Sequence, residues 1–461
     1  MVYADKYTRV SDWECAIEKG GTMAGTTENE HYDSRSNLKE ASGITRRHFV
    51  GGALVVGAGL ALTELTACTP SPTGAGQDDE LLLGDEELDS SDSALDESVG
   101  TPPSTEDSSV YVVRNTDGTD DGMQRLIKVM ERNNASFYQS KALPEGLIAA
   151  NDVVILKINC QWAERGGTNT DLIEAVALAL AAHPDGFTGE LIIADNGQAQ
   201  YGTGGFGGSL DWSHTNAADK TRSPLDVVNS LRPQMNISGV LWDEFTMNQV
   251  AEFASGDNNN GFVLEDEPRH TGIVISYPKF TSEYGTRVSF KEGIWDSAKS
   301  SYDTSRLKVI NLPVLKVHGG FQVTGAVKNY MGTTASRLTN QAAHNSVGKG
   351  GMGTQLAFTR MPTLNLMDMI WVGTRRGPHT RYDDADANNM IACSTDPVAL
   401  DWWCAHNVLT PLVEASGSST AKLNPDATEQ GTFGYWLSLS ADELLSAGHK
   451  ANRGNSVRVF E

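Results

Sequence analysis

Cysteine, basic residues and long apolar segments are all scarce in this sequence. Five Cys among 461 residues are too few for a disulfide-stapled scaffold, and none has the spacing of a zinc or iron–sulfur site. The 36 Lys and Arg, set against 59 Asp and Glu, argue against the basic face that a nucleic-acid partner requires. No apolar run reaches the length of about 18 residues that predicts a membrane-spanning helix. A sizeable core remains available, because 39% of the residues are hydrophobic.

The negative charge is concentrated near the start of the chain. Residues 1–107 carry a net charge of −14, whereas residues 108–461 carry −9. Residues 77–107 contain 12 Asp or Glu, no Lys or Arg, and many Ser, Pro and Gly. Because like charges repel and little apolar surface offsets the chain entropy, we predict that residues 68–107 form a disordered acidic linker.

An export signal precedes the linker. Residues 44–68 read ITRRHFVGGALVVGAGLALTELTAC, with a consecutive pair, Arg46 and Arg47, ahead of a 12-residue apolar stretch. That stretch is too short to cross a bilayer core of about 30 Å. The pair and the stretch resemble a twin-arginine signal, and the closing Leu-Thr-Ala-Cys resembles a lipobox. We therefore predict that residues 1–67 are a signal segment with a long amino-terminal region and that Cys68 is lipid-modified.

The signal implies a location for the protein. It predicts passage through the twin-arginine export machinery and attachment to the membrane, on the extracytoplasmic side, through acyl chains on Cys68. The acidic linker would then hold the folded part of the chain away from the membrane surface.

The rest of the sequence alternates between strand and helix patterns. The predicted strands cover residues 110–114, 152–159, 191–194 and 306–312, and the predicted helices cover residues 123–133, 171–182 and about 13 residues that follow the cap Asp396. Strand, helix and strand with short joints predict a right-handed parallel crossover. We therefore predict an α/β fold for residues 108–461, with a mostly parallel sheet and flanking helices. Residues 201–305 lack clear alternation and are predicted to be an insertion into this one main domain.

Polar side chains stand where the predicted strands end. Lys157 and Asn159 close one strand, and Asp195 closes the next. The carboxyl ends of parallel strands meet at one edge of a sheet, which is where ligands bind in open α/β folds. A Lys in an otherwise apolar strand needs a partner or a function, because an unpaired buried ammonium is strongly disfavoured. Lys157 either pairs with Asp195 or, together with Asn159, binds a ligand.

A second polar group lies in residues 312–334. Lys316 and His318 are two residues apart and share a face if they lie on a strand, and Lys328 and Asn329 follow a Thr-Gly-Ala turn. Two Lys, a His and an Asn near Gly amides favour an anionic small molecule or a developing negative charge. We predict catalytic roles for Lys316, His318 and Lys328, with His318 as a proton carrier because its ordinary pKa is about 6.5, and a ligand-binding role for Asn329. The alternative is a loop that these polar groups attach to the core.

The remaining candidates are carboxylates and a basic loop. Asp195, Asp368 and Asp401 either hold a divalent cation through oxygen ligands or pair individually with Lys or Arg. Arg375 lies on a predicted loop around Gly-Pro and is predicted to bind the ligand. The Gly-rich residues 348–353 lack the spacing of a nucleotide-binding loop and are predicted to form a mobile lid or loop.

Several of these segments occur together in a known family. The segments, in order, are ILKINCQ, IIADN, NLPVLKVHGGFQVTGAVKNYMG, LNLMDMIWVGTRRGPHT and IACSTDPVALDWWCA. From about residue 150 to 410 the chain closely resembles the bacterial and archaeal family of the domain of unknown function 362 (DUF362). By that resemblance the motif positions are Lys157, Asn159, Asp195, Lys316, His318, Lys328, Asn329, Asp368, Gly377, Pro378, Asp396 and Asp401. The family supplies no general reaction, and the ferredoxin-like Cys clusters of many members are missing from this chain.

Two functions are compatible with these features. The first is an exported enzyme that acts on an anionic small molecule, with Lys, His and Asn binding the anion and a divalent metal as the only cofactor suggested. The second is a surface lipoprotein that binds a ligand or a metal without turnover.

Overall fold

A computed structural model describes residues 107–198 and 207–461 of the chain. The predicted signal segment with Arg46 and Arg47, the lipidation residue Cys68, and the acidic linker up to residue 106 lie outside these described residues. Within the two ranges, no helix combines the length and the apolar character that a bilayer crossing requires.

Seventeen strands occur in the described residues. They are Ser108–Arg114 (β1), Tyr138–Gln139 (β2), Ile148–Ala149 (β3), Val153–Lys157 (β4), Glu190–Asp195 (β5), Ile237–Leu241 (β6), Gly261–Leu264 (β7), Ser276–Thr281 (β8), Arg287–Ser289 (β9), Gly293–Asp296 (β10), Ser301–Asp303 (β11), Leu307–Asn311 (β12), Val314–His318 (β13), Gln322–Thr324 (β14), Leu364–Gly373 (β15), Ala385–Ser394 (β16) and Val457–Phe460 (β17).

Nine α-helices accompany these strands in the same ranges. They are Gly122–Arg132 (α1), Thr170–Ala181 (α2), Pro224–Leu231 (α3), Ala326–Asn329 (α4), Ala342–Ser346 (α5), Gly351–Phe358 (α6), Pro397–Cys404 (α7), Thr410–Ala415 (α8) and Phe433–Ser446 (α9). A π-helical segment, Ala405–Leu409, joins α7 to α8, so the helical region that follows Asp396 is longer than predicted. Asp396 accepts hydrogen bonds from the amides of Val398 and Ala399, which confirms it as the cap of α7.

The main sheet has ten strands and is mostly parallel. Its order is β17-β1-β16-β15-β12-β4-β5-β6, with β13 beside β15 and β14 beside β13. Strands β15, β12, β4, β5 and β6 run parallel to one another, whereas β16 is antiparallel to both β15 and β1. The predicted α/β class, with a mostly parallel sheet and flanking helices, is confirmed.

Both faces of this sheet are covered. In β4, Val153 and Ile155 join one apolar cluster, and Val154 and Leu156 join the other. Helices α1, α2 and α3 cover one face, and helices α4, α6, α7 and α9 cover the other. Two covered faces explain why the central strands are apolar without alternation, as the parallel arrangement requires.

The predicted insertion is divided between two sheets. Strands β7 to β11 form a separate antiparallel sheet in the order β11-β10-β9-β8-β7. Helix α3 and strand β6, in contrast, extend the main sheet, since β6 pairs in parallel with β5. The alternation of strand and helix therefore continues to Leu241. It was not recognised in the sequence because β6 is only five residues long and contains a Ser and a Gly.

Candidate functional site

A cavity of about 130 Å³ opens beyond the carboxyl ends of β4, β5 and β13. Its lining residues are Lys157, Asn159, Gln161, Trp162, Asp195, Asn196, Gln198, Lys316, His318, Phe321, Thr324, Lys328, Asn329, Met331, Gly332, His344 and Pro378. The structure thus brings together six residues predicted to bind or transform a ligand, together with Asp195. This is the edge of the sheet at which the parallel topology predicts a ligand site.

The hairpin of β13 and β14 places Lys316 and His318 at the cavity. Lys157 of β4 pairs in register with Asn311 of β12. After Asn311 the chain continues through Pro313 into β13, which pairs with β15. Lys316 lies opposite Thr324 across the hairpin. Lys316 and His318 both line the cavity, as their spacing of two residues predicted.

Asp401 fixes the short helix α4, which follows this hairpin. Its carboxylate accepts hydrogen bonds from the amides of Ala326, at 2.5 Å, and Val327, at 3.0 Å. The preceding Gly325 leaves room for this contact, since a methyl group there would overlap the Asp401 carboxylate. Lys328 and Asn329 stand at the end of α4, so Asp401 positions two cavity residues without lining the cavity itself.

Lys157 and Asp195 form a buried ion pair in the cavity wall. Lys157 Nζ lies 2.8 Å from Asp195 Oδ1 and donates to the carbonyl of Ile158 at 2.9 Å. Asp195 Oδ2 accepts from the amide of Cys160 at 2.7 Å. Gly332 packs against the pair so closely that a methyl group there would lie 2.6 Å from Lys157 Nζ. Of the two alternatives left open for Lys157, the structure shows the pairing with Asp195, and the pair lines the cavity in which a ligand would be bound.

The other two lysines have no carboxylate partner among the described residues. Lys316 is fully buried and donates to the carbonyl of Gly166. Lys328 places its ammonium 4.9 Å from the centre of the Phe321 ring, a cation–π contact. Three ammonium groups therefore face a cavity whose lining contains one carboxylate, Asp195.

Burial and mutual repulsion depress the lysine pKa values. Burial, followed by the charge of Lys328, lowers the pKa of Lys316 well below its ordinary value. Burial, followed by the charge of Lys157, lowers the pKa of Lys328 to about 8. Each protonated amine is thus disfavoured by its surroundings, and a bound anion would offset that cost.

His318 is neutral in this environment. Its Nδ1 accepts hydrogen bonds from the amides of Gly320, at 3.1 Å, and Phe321, at 3.2 Å, which leaves Nε2 to carry the ring proton. Burial, then the charges of Lys328 and Lys316, lowers the pKa of His318 to about 2. The ordinary pKa on which the prediction of a proton carrier rested therefore does not apply here. As a neutral Nε2–H donor, His318 can donate a hydrogen bond to negative charge.

The three carboxylates predicted to bind a metal do not come together. Asp195 belongs to the ion pair described above, and Asp401 holds the start of α4. Asp368 lies in the middle of β15 rather than at a strand end, and its carboxylate accepts from the amides of Asn169, at 2.8 Å, and Ile370, at 3.1 Å. Across the described ranges, no group of three or more His, Cys, Asp or Glu side chains is arranged to hold a metal ion.

Arg375 lies outside the cavity. It pairs with Asp386 at 2.8 Å and lines a neighbouring, more open groove of about 370 Å³. His318 contributes to the walls of both the cavity and the groove. A ligand confined to the cavity would therefore not contact Arg375, and the predicted ligand-binding role of this residue stays a prediction.

Several lining residues were not predicted from the sequence. Trp162 stacks on His379, with ring centres 5.3 Å apart, and closes one side of the cavity. His344 and Gln198 come from segments without a recognisable motif, and only the fold brings them to the strand ends. Thr324 could have been identified from the sequence. Residues that lie opposite each other in a β-hairpin share a face of the sheet, and Thr324 lies opposite Lys316.

Comparison with known proteins identifies one family. Residues 286–406 match the family described as Domain of unknown function (DUF362), which confirms the predicted resemblance over that range. The matched range contains Lys316, His318, Lys328 and Asn329. No curated protein and no solved structure matches the chain.

Proposed function

We propose that this chain, whose residues 286–406 match the DUF362 family, is an enzyme that acts on an anionic small molecule bound in the cavity. One observation carries the proposal: three buried ammonium groups line the cavity and one carboxylate faces them. Removing one partner from a buried charge pair costs several kcal/mol, of order 3–5, so an excess of buried positive charge strongly favours a negative ligand.

The cavity residues support a division of roles. Lys316 binds the negative group of the substrate by charge-assisted hydrogen bonds, and Lys328 does the same in its protonated form. Because the pKa of Lys328 is about 8, a fraction of its amine is neutral near neutral pH, and this fraction can take a proton from a substrate whose negative group Lys316 holds. His318 Nε2–H then donates a hydrogen bond to the charge that develops. Lys157 and Asn159 complete the wall on the side of β4.

Proton abstraction gives the proposal a direct test. The protein is incubated in D₂O with a panel of small carboxylates and phosphates, and NMR follows both product formation and exchange of substrate C–H for deuterium. We expect exchange or turnover with at least one anion, and loss of it in Lys328→Met but not in Lys349→Met, a change at an exposed lysine outside the cavity. Tight binding with neither exchange nor product would favour the ligand-binding lipoprotein instead.

We also propose that the protein is exported and anchored by lipid at Cys68. The order of Arg46 and Arg47, apolar stretch, Cys and acidic linker supports this location. In cells, Cys68→Ala is expected to move the protein from the membrane fraction to the soluble exported fraction. Replacing Arg46 and Arg47 by Lys is expected to prevent export. Retention of Cys68→Ala in the membrane fraction would mean that another feature anchors the chain.

A further inference from the structure

The cavity is lined by residues with buried oxygen atoms that the protein leaves without a hydrogen-bond partner. Asn329 Oδ1, Gln198 Oε1 and Thr324 Oγ1 are buried and have no hydrogen-bond partner among the described residues, and Asn159 Oδ1 shares this property. The residues Asn329, Gln198 and Thr324 are 3%, 3% and 4% exposed. Buried polar atoms in folded proteins are nearly always bonded, so four such atoms around one cavity indicate what binds there.

The orientation of Asn329 follows from its neighbours. The carbonyl of Ser394 can only accept, so Asn365 presents its Nδ2 to it at 3.3 Å and its Oδ1 to Asn311. Asn311 Nδ2 donates both to Asn365 Oδ1, at 2.9 Å, and to the carbonyl of Ala326, at 3.0 Å. Asn311 Oδ1 must therefore accept, and it does so from Asn329 Nδ2 at 2.8 Å. Asn329 Oδ1 is left as an acceptor by this chain of amides.

Gln198 is oriented in the same way. Its Nε2 donates to the carbonyl of Met331 and lies 3.3 Å from Thr334 Oγ1. A carbonyl cannot donate, so the amide cannot be turned over without losing this bond. Gln198 Oε1 is therefore a second fixed acceptor beside the lysines.

The amide oxygens of Asn329 and Gln198 require donors from the ligand, whereas the Thr324 hydroxyl can accept or donate. The three lysines limit which donors a ligand can carry. A metal cation or a ligand ammonium would satisfy amide oxygens, but both would be repelled by the ammonium groups of Lys157, Lys316 and Lys328. A neutral hydroxyl donates without adding positive charge. We propose that the substrate is a hydroxylated anion, a carboxylate or phosphate with at least one free hydroxyl group. This inference rests on the proposed anion site and specifies its substrate class.

Matched pairs of ligands test the hydroxyl requirement. Isothermal titration calorimetry on the full chain compares tartrate with succinate and glycerol 3-phosphate with propyl phosphate; the members of each pair differ only in hydroxyl groups. We expect the hydroxylated member of at least one pair to bind about tenfold or more tightly, because its analogue leaves a buried acceptor unbonded.

Substitutions of the cavity residues show which of them cause the preference for the hydroxylated ligand. Asn329→Leu is expected to reduce the preference for the hydroxylated member toward equality, and Gln198→Leu and Thr324→Val provide independent tests if Asn329→Leu fails to fold. Thr339→Val is the control, because Thr339 is buried and donates to the carbonyl of Ala335 away from the cavity. It should leave the preference unchanged.

The outcomes separate this inference from the proposal on which it rests. Equal affinity within both pairs would overturn the hydroxyl requirement while leaving the anion site intact. Tighter binding of aspartate than of malate would also overturn it, because the donor would then be an amine. Failure of all of these anions to bind would overturn the anion site, and the inference with it.

Discussion

Lys157, Lys316 and Lys328 meet three different kinds of partner within one cavity. Lys157 has a carboxylate, Lys316 a carbonyl oxygen and Lys328 the face of an aromatic ring. A carbonyl and an aromatic ring compensate an ammonium charge less than a carboxylate does, so burying the cation costs more at Lys316 and Lys328 than at Lys157. The charges of Lys316 and Lys328 therefore depend most on a ligand.

Substitution of Lys328 should stabilise the ligand-free protein. The folded-state pKa of about 8 lies below the ordinary value of 10.5, so the unfolded chain binds a proton that the folded chain lacks between these two pH values. The contribution of Lys328 to the free energy of unfolding therefore rises as the pH increases from about 8 to 10.5. Lys328→Met should be more stable than the parent at pH 7, and this advantage should shrink by about 2–3 kcal/mol at pH 10. Urea unfolding at both pH values measures it; a variant less stable than the parent at pH 7 would contradict the assignment.

The His318 ring should not titrate near neutral pH. With a pKa of about 2, the ring remains neutral in the folded protein from pH 5 to 8, with its proton on Nε2. Two-dimensional ¹H–¹⁵N NMR of the imidazole nitrogens, assigned with His318→Gln, should show the Nε2–H tautomer and constant shifts. A transition near pH 6.5 would return His318 to the role of a proton carrier.

Gly332 lets the segment after α4 approach the strand ends. A methyl group at this position would overlap Asp195 Oδ1 and press on Lys157 Nζ. Gly332→Ala should therefore displace the ion pair and weaken anion binding by about tenfold, since a charge-assisted contact is worth roughly 1.5–3 kcal/mol.

Gly348 supplies the control for this experiment. A methyl group there meets no atom within 4 Å, so Gly348→Ala should bind anions as the parent does. Equal anion affinities for Gly332→Ala and the parent, measured by calorimetry, would show that the close approach at Gly332 has no bearing on the site.

The sequence was most informative where a periodic pattern coincided with an element. The apolar pattern of residues 123–133 predicted α1, and the spacing of Lys316 and His318 predicted their shared face. Such patterns succeed because burial on a helix or a strand repeats with a fixed period.

The sequence was least informative where tertiary contacts determine the structure. Asp368 follows the apolar run LNLM, a pattern typical of the end of a strand, yet β15 continues to Gly373, with β13 paired beside it. Residues 348–353 were predicted to form a lid or loop. In the structure half of them, residues 351–353, belong to α6, whose Gly353 packs against the backbone of Ser440 on α9. A glycine run indicates freedom of the backbone as readily as close packing, and only the partner helix distinguishes the two.

The carboxyl terminus completes the main sheet far from the cavity. Strand β17 pairs in parallel with β1 at the edge, where Phe460 stacks on Tyr111 with ring centres 5.6 Å apart. Deletion of residues 457–461 should lower the thermal midpoint, because the edge of β1 and the Tyr111 ring lose their cover. Anion affinity should be unchanged in calorimetry, because β1, β16, β15 and β12 separate β17 from β4 in the main sheet. If the deletion also weakened anion binding, the main sheet would have to transmit the loss of β17 to the cavity.

Charge varies strongly over the whole molecule. The net charge of −23 includes −14 from residues 1–107, and residues 108–461 carry −9. The cavity, with three lysines and one carboxylate, is a positive exception within a mildly acidic domain. A small anion that reaches it gains attraction inside the cavity that the surrounding surface does not offer.

Anion affinity in a set of charge variants tests the central claim most directly. Isothermal titration calorimetry at pH 7 compares the parent with Lys316→Met, Lys328→Met and the exposed-site control Lys349→Met, using phosphate and tartrate as probes. The parent and Lys349→Met should bind at least one probe with the same dissociation constant, and each cavity variant should bind it about tenfold or more weakly. Equal affinities across all four proteins, or no binding by the parent, would contradict an anion site built on Lys316 and Lys328.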